Sequence, residues 1–280
     1  MKLLPKVDFT VNVDLWQVMP DCYIDLRPFA FEMTQENYVF GLPSGEVSLI
    51  SKSDMMMTLS EYHRIGLILS NNILSTRMFV TPTEKSITDI IAENYSEDAI
   101  VDYIGIGEIG IDSIYVVNSI DEPSKRVVEQ QLGSILQESS VVRTLPASFV
   151  VAHFINSLNH NQPGTYLALE CRPFEIYLYA WTMFEQSNIP VTLTSDSVKT
   201  NVNVMNSIAE KAGFMNHKVG RLFKTDLISK AFILTHESSV GGVPVKEISS
   251  VLMSVLKKIE IEVIDEPYPA IKGAWSFEKA

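Results

Sequence analysis

The stretch YLALECRPFEIYLYAWTMFEQSNIPVTLT, residues 166–194, reads as three strands in immediate succession. Tyr166–Glu170, Glu175–Trp181 and Ile189–Thr194 are aliphatic and aromatic, and the middle segment alternates cleanly, as a strand with one face in a core does. Short connections make such strands antiparallel neighbours. A helix from Ser195 to about Lys211 is expected next, ended by Gly213 in the usual C-terminal position. Strand Ala231–Thr235, turn Val240-Gly-Gly242, helix Val245–Lys258, strand Ile259–Ile264 and a last helix from Pro267 complete this half.

Asn161-Gln-Pro-Gly164 marks a turn and a domain boundary, and the same order of elements precedes it. Residues Cys22 to Ser51 read as two or three strands: Cys22–Ile24–Leu26 and Phe29–Phe31–Met33 are read as alternating with polar neighbours, and Gly41, Pro43, Ser44 and Gly45 supply turn chemistry. Asp54 then caps a helix expected to run through Met55–Met57, Leu59, Tyr62 and Ile65, with the methionines as adaptable core packing. A short strand follows from Leu74 to Val80. Pro82 is placed early in a helix capped by Thr81 or Thr83, with Ile87, Ile90, Ile91 and Tyr95 on one face. Strand Ile111–Asn118, helix Glu122–Gln137, strand Val141–Leu145 and helix Pro146–Leu158 give alternating strand and helix up to the boundary.

Composition narrows the function. With 280 residues and 46% apolar content the chain exceeds one ordinary core, so one large or two medium domains are expected. The formal net charge of -12 and the scatter of Lys and Arg argue against a groove that neutralises phosphates, so no nucleic-acid partner is expected. They also disfavour direct contact with anionic lipid. Cys22 and Cys171 have neither disulfide nor zinc spacing and read as small buried hydrophobes of a reducing compartment. The first residues, MKLLPKVDFTVNVD, lack the apolar core of a signal peptide. The best span candidate, Ile65–Leu74, falls far short of the roughly 18–20 apolar residues a membrane helix needs. A cytoplasmic location is expected.

Two blocks, each opening on antiparallel strands and continuing into helix–strand crossovers, resemble the actin, sugar-kinase and Hsp70 superfamily. The likeness is clearest where Ala231-Phe-Ile-Leu-Thr235, Ser239-Val-Gly-Gly-Val-Pro244, a helix, Ile259-Glu-Ile-Glu-Val-Ile264 and Asp265-Glu-Pro-Tyr-Pro-Ala-Ile-Lys-Gly-Ala274 follow in order. The resemblance implies an α/β, two-lobed actin-like fold, a duplicated ribonuclease H-like unit. Residues 1–160 would form the first lobe and 161–280 the second. The segment with Ile73-Leu-Ser-Thr-Arg-Met-Phe-Val80 and Ala99-Ile-Val-Asp-Tyr-Ile104 resembles the inserted subdomain of the FtsA and PilM branch, about residues 73–143, to which GspL of type II secretion is related. That branch implies a cytoplasmic platform of a type IV pilus or type II secretion machine. Its partners would be inner-membrane assembly proteins, which hold it peripheral to that membrane, and an assembly ATPase. The alternative is a nucleotide-binding actin-like ATPase of filament-forming or chaperone and reactivase type.

In such a fold, acidic residues and small glycines in two phosphate hairpins, with a Gly-rich adenosine turn, would hold Mg-ATP. Here the first hairpin would be Tyr23-Ile-Asp-Leu-Arg-Pro28: Asp25 is kept, but Arg27 is bulky and Pro28 has no N–H to offer phosphate. The second would be Leu169-Glu-Cys-Arg-Pro173, with Glu170 for the usual Asp and no glycine. Thr235-His-Glu-Ser238 replaces the first glycines of the adenosine turn; Gly241, Gly242 and Gly273 remain. The resemblance therefore implies lost hydrolysis, no required cofactor, no metal site, and at most weak binding of ATP with Mg²⁺. Arg27 and Arg172 either attract phosphate or sit as surface arginines paired with their acidic neighbours.

Other signals are weaker. Gly105-Ile-Gly-Glu-Ile-Gly110 matches the dinucleotide pattern, but strand-like residues follow it where a helix N-terminus is required. His153 falls on an apolar helix face and reads as a core residue. His236 with Glu237 and Ser238 occupies a turn, with no nucleophile elbow to make it a hydrolase site. The acidic run Glu93, Glu97, Asp98 and Asp102 reads as a solvated face bordering the inserted segment.

Overall fold

The computed structural model describes residues 18–32, 35–95, 100–109, 112–132, 140–158, 162–183, 190–200, 203–223, 228–257 and 259–279. Contacts divide the chain into two units, Met1–Val150 with Ala270–Ala280, and Val151–Pro269. The reading of the first residues as no signal peptide falls outside the described residues.

The first unit opens with β1 (Cys22–Glu32), β2 (Gln35–Gly41) and β3 (Val47–Ser51), an antiparallel meander. Helix α1 (Lys52–Ser60) leads to β4 (Arg64–Leu69), which pairs parallel with β1. An inserted subdomain follows, made of β5 (Ser75–Pro82), α2 (Ile87–Asn94), β6 (Ile100–Ile109) and β7 (Asp112–Ile120). These strands form their own sheet in the order β5-β7-β6. Ile87 and Ile90 of α2 and Val117 of β7 form its buried core. The chain returns through α3 (Glu122–Leu132) to β8 (Ser140–Pro146), parallel to β4, and then to α4 (Ala147–Leu158). The first sheet has the order β3-β2-β1-β4-β8.

The second unit repeats this plan. β9 (Gly164–Cys171), β10 (Glu175–Met183) and β11 (Val191–Lys199) form the meander, and α5 (Val204–Phe223) crosses to β12 (Lys230–Leu234). A small hairpin of β13 (Ser239–Val240) and β14 (Val243–Pro244) precedes α6 (Val245–Leu256) and β15 (Glu260–Ile264), and the chain then rejoins the first unit in α7 (Pro269–Glu278). The sheet order, β11-β10-β9-β12-β15, has the topology of the first sheet.

Strand periodicity gives each sheet a hydrophobic face and a second, mixed face. In β1, Cys22, Ile24 and Leu26 join a core with Leu59 of α1 and Val128 of α3. Tyr23, Asp25 and Arg27 therefore point to the other face. In β9, Leu167 and Leu169 pack with Ile208 and Met215 of α5 and Leu252 of α6, so that Ala168, Glu170 and Arg172 face away. That mixed face holds Trp181, whose indole N–H donates to Asn156 of α4 at 3.2 Å.

Several local expectations are corrected. Ser51, not Asp54, caps α1, its hydroxyl accepting from the Asp54 N–H at 3.1 Å. The helix stops at Ser60, and Arg64–Leu69 is a central parallel strand; a continuous apolar run suits a strand buried on both faces as well as a helix. Of the three methionines only Met55 packs inward, one turn before buried Leu59, while Met56 and Met57 are exposed. Pro82 ends β5, and α2 begins at Ile87 after a Ser86 cap. Ser195–Lys199 extend β11 along β10 instead of starting a helix. Gly213 lies within α5, where an added Cβ would come within 3.3 Å of Val255 Cγ1 on α6, so it marks a helix crossing and not a terminus. The glycine pattern itself is expected to lie ahead of a strand, but Gly105 and Gly107 sit inside one, β6, at a register shift against β7; Gly110 is outside the described residues.

No helix among the described residues is long and apolar enough to cross a membrane. Gly66 of β4 lies directly under the Tyr23 ring: a Cβ there would be 2.3 Å from Tyr23 Cε1. That ring is fully buried and held at its hydroxyl by Glu278, so it has little room to yield. Gly66→Ala is expected to lose about 1–3 kcal/mol, read as a lower urea midpoint at unchanged slope. An unchanged midpoint would contradict this packing.

Candidate functional site

Each sheet carries an acid and an arginine two residues apart on its mixed face. In β1, Asp25 Oδ1 accepts from the Arg27 backbone N–H at 3.1 Å and from Nε at 2.9 Å, and Oδ2 accepts from Nη2 at 2.6 Å. The side chains are 1% and 2% exposed. The local chain makes this bite: the pairing jumps from Asp25↔Val39 to Ala30↔Asn37, so Leu26–Phe29 stand opposite Tyr38 alone. Such a bulge bends the strand and turns Arg27 back on Asp25. Pro28 suits the bulge because no ladder hydrogen bond is asked of its nitrogen.

The second pair follows the same design. Glu170 Oε1 accepts from Arg172 Nε at 2.9 Å and Nη2 at 2.7 Å, and the Tyr179 hydroxyl donates to Oε2 at 2.9 Å. Both side chains are 2% exposed. The guanidinium lies 5.3 Å from the Tyr177 ring centroid, in cation–π range. The β9–β10 turn is closed by the Arg172 N–H to Glu175 C=O bond at 3.0 Å. Thr200 pins its tip, donating from its N–H to Phe174 C=O at 3.1 Å and from its hydroxyl to Pro173 C=O at 3.0 Å.

Gly241 and Gly242 form the two-residue turn of the β13–β14 hairpin with φ of 55° and 79°, a conformation that suits glycine. An added Cβ at Gly241 would lie 2.6 Å from Thr200 Cβ. Thr200 thus joins the Glu170–Arg172 hairpin to the glycine turn. Nothing in its sequence context singles it out. Gly273, the remaining glycine expected at the site, is buried in α7 of the first unit.

Arg27 and Arg172 pair with their acidic neighbours, but as buried groups and not at the surface. The charges that a phosphate or Mg²⁺ would meet already neutralise each other. Among the described residues no group of three or more His, Cys, Asp and Glu converges as metal ligands. Burial pushes the Cys22 thiol up to about 12 and raises that of the half-buried Cys171, so both thiols stay protonated. Burial also lowers the His153 pKa. His236, at the end of β12, meets Asp265 after β15, Nδ1 to Oδ1 at 2.8 Å, with both side chains exposed. Of the acidic run, Glu93 is exposed and pairs with Lys85, whereas Glu97 and Asp98 lie outside the described residues.

No protein-family model and no curated protein matches this sequence. Solved structures do match. A chain of the PilM–PilN type IV pilus biogenesis complex aligns over 90% of this chain and 90% of its own length, at 11% identity and a TM-score of 0.55. The cytoplasmic domain of EpsL, an inner-membrane component of the type II secretion system of Vibrio cholerae, aligns over 92% and 93%, at 11% identity and a TM-score of 0.50. A Bacteroides thetaiotaomicron protein with an actin-like ATPase fold and unknown function aligns over 92% and 95%, at 11% identity and a TM-score of 0.47. The chain has the actin-like ATPase fold, in the form shared with the PilM and EpsL structures, with two sheets of identical topology and an inserted subdomain.

Removing one member of a buried ion pair strands the other without water. Glu170→Ala and Arg172→Ala are each expected to cost about 3–5 kcal/mol, and the double variant less than their sum. Urea unfolding of all four proteins measures the coupling, expected at about 1–3 kcal/mol; strict additivity would contradict a working pair.

The Asp265 carboxylate raises the His236 pKa by hydrogen bonding to the imidazolium and by charge. This contribution to stability is therefore complete below the unfolded pKa of about 6.5 and is lost as pH rises through the raised folded value. An NMR titration should give an elevated His236 midpoint that Asp265→Asn returns toward the ordinary value. Equal midpoints in the two proteins would refute the contact.

Proposed function

We propose that this chain is a cytoplasmic actin-like scaffold of a type IV pilus or type II secretion assembly machine, working by protein–protein binding. The observation that carries this reading is the self-neutralised hairpin, present in both sheets. Asp25 and Glu170 each bind the arginine two residues on, and Pro28 and Pro173 remove backbone donors that a phosphate cradle needs. An actin-like fold whose phosphate hairpins are closed internally keeps the architecture as a binding platform. The alignments to the PilM–PilN complex and to the EpsL cytoplasmic domain support the choice of machine. The inserted segment, about residues 73–143, is the element we assign to partner binding. Inner-membrane assembly proteins and an assembly ATPase are the partners this reading calls for, and through them the chain would sit at the inner membrane.

A second reading, a nucleotide-binding actin-like ATPase of filament or reactivase type, draws on one observation. The Gly241–Gly242 turn keeps the left-handed backbone of an open loop, beside Thr200 and the second hairpin. Cross-linking of the native protein in its cells, followed by mass spectrometry, separates the two. The scaffold reading expects cross-links from residues 73–143 to membrane-assembly proteins, and no nucleotide effect on sedimentation. Pelleting driven by ATP, with cross-links only between copies of this chain, would contradict it.

A further inference from the structure

One transverse row of the first sheet is cut to receive a helix. The register aligns Gly41 of β2, Tyr23 of β1, Gly66 of β4 and Arg143 of β8 across four strands. Helix α7 meets this row with Ile271, Trp275 and Glu278, residues spaced i, i+4 and i+7 and so on one helical face. Ile271 lies over Gly41, where an added Cβ would be 2.3 Å from Ile271 Cγ2. Trp275 meets Tyr23 edge-on at 5.0 Å between ring centroids. Glu278 Oε1 accepts from the Tyr23 hydroxyl at 2.5 Å and from Arg143 Nε at 2.9 Å, and Oε2 accepts from Nη2 at 3.0 Å. The carboxylate and guanidinium are 4% and 8% exposed. Phe277 adds an edge contact to Phe149 at 5.1 Å.

We propose that α7 is a latch: its seating through Glu278, Tyr23 and Arg143 holds the β1–β2 hairpin, and with it the Asp25–Arg27 pair, in its ordered form. Tyr23 and Asp25 stand on the same face of β1, two residues apart, so a displaced Tyr23 shifts the strand that carries Asp25. Gly41 ends β2, the other arm of that hairpin. Both arms are therefore tied to α7, one by a buried charge and one by a close apolar contact. Burial keeps the Tyr23 phenol neutral, its pKa raised well above 10, so it remains a donor to Glu278. The latch residues all lie in the first unit, and the latch does not depend on whether the chain serves a pilus or secretion machine.

Hydrogen–deuterium exchange on the full chain tests the latch. Glu278→Gln removes the charge that Arg143 needs and keeps an acceptor for Tyr23. Exchange is expected to rise about tenfold or more in residues 270–279 and also in 22–41, with β9–β12 unchanged. Ile271→Ala loosens the opposite end of α7 without touching the charged cluster and should give the same regional pattern at smaller amplitude, and it carries the test if Glu278→Gln does not fold. Faster exchange confined to α7, exchange equal to that of the unmodified chain, or a uniform rise throughout would each overturn the proposal.

Discussion

A guanidinium shut away from water must meet a carboxylate, because an unpaired buried charge costs more than one helix or strand contributes. That constraint is met three times in the described structure, at Asp25–Arg27, Glu170–Arg172 and Arg143–Glu278. The first two close the hairpins on the mixed face of each sheet. The third joins the final helix to the first sheet. Once the pairs form, those strand segments have little freedom left: the bulge in β1, the tight β9–β10 turn and the seat of α7 follow from where the charges must go.

The duplicated sheet explains why the first two pairs look alike. In β1 and β9 the acid and the arginine fall on the face opposite the apolar core by the strand's period of two, and a proline follows in both. The apolar faces, with Ile24 in one unit and Leu169 in the other, pack under helices that cross between parallel strands. The mixed faces take helices through buried polar side chains, Glu278 of α7 in the first unit and Asn156 of α4 in the second. Within this actin-like architecture the carboxylates at both hairpins are bound by arginines of the same hairpin. This self-pairing is what the proposed role as a binding platform rests on.

Much of the fold was legible in the sequence because it is written in local pattern. The meander over 166–194, the alternation of β10, and the repeated acid-x-Arg-Pro at 25–28 and 170–173 are all short-range signals. Other features were not legible, for identifiable reasons. Ile65–Leu69 is buried on both faces, so periodicity could not separate strand from helix. Ser195–Lys199 offers residues that cap helices, and only its ladder with β10 makes it strand. Whether Arg27 and Arg172 were buried or exposed depended on packing that no single segment encodes. Thr200 and the Gly41–Tyr23–Gly66–Arg143 row depend on register and on partners far away in sequence; Tyr23 and Glu278 are 255 residues apart.

With both hairpins closed on themselves, the proposed scaffold has no open cradle for phosphate. Calorimetric titration of the purified chain with Mg-ATP and Mg-ADP tests this most directly. No saturable heat is expected up to millimolar nucleotide. Micromolar, Mg²⁺-dependent binding that Asp25→Ala abolishes would contradict it, because Asp25 would then have to leave Arg27 to serve the nucleotide.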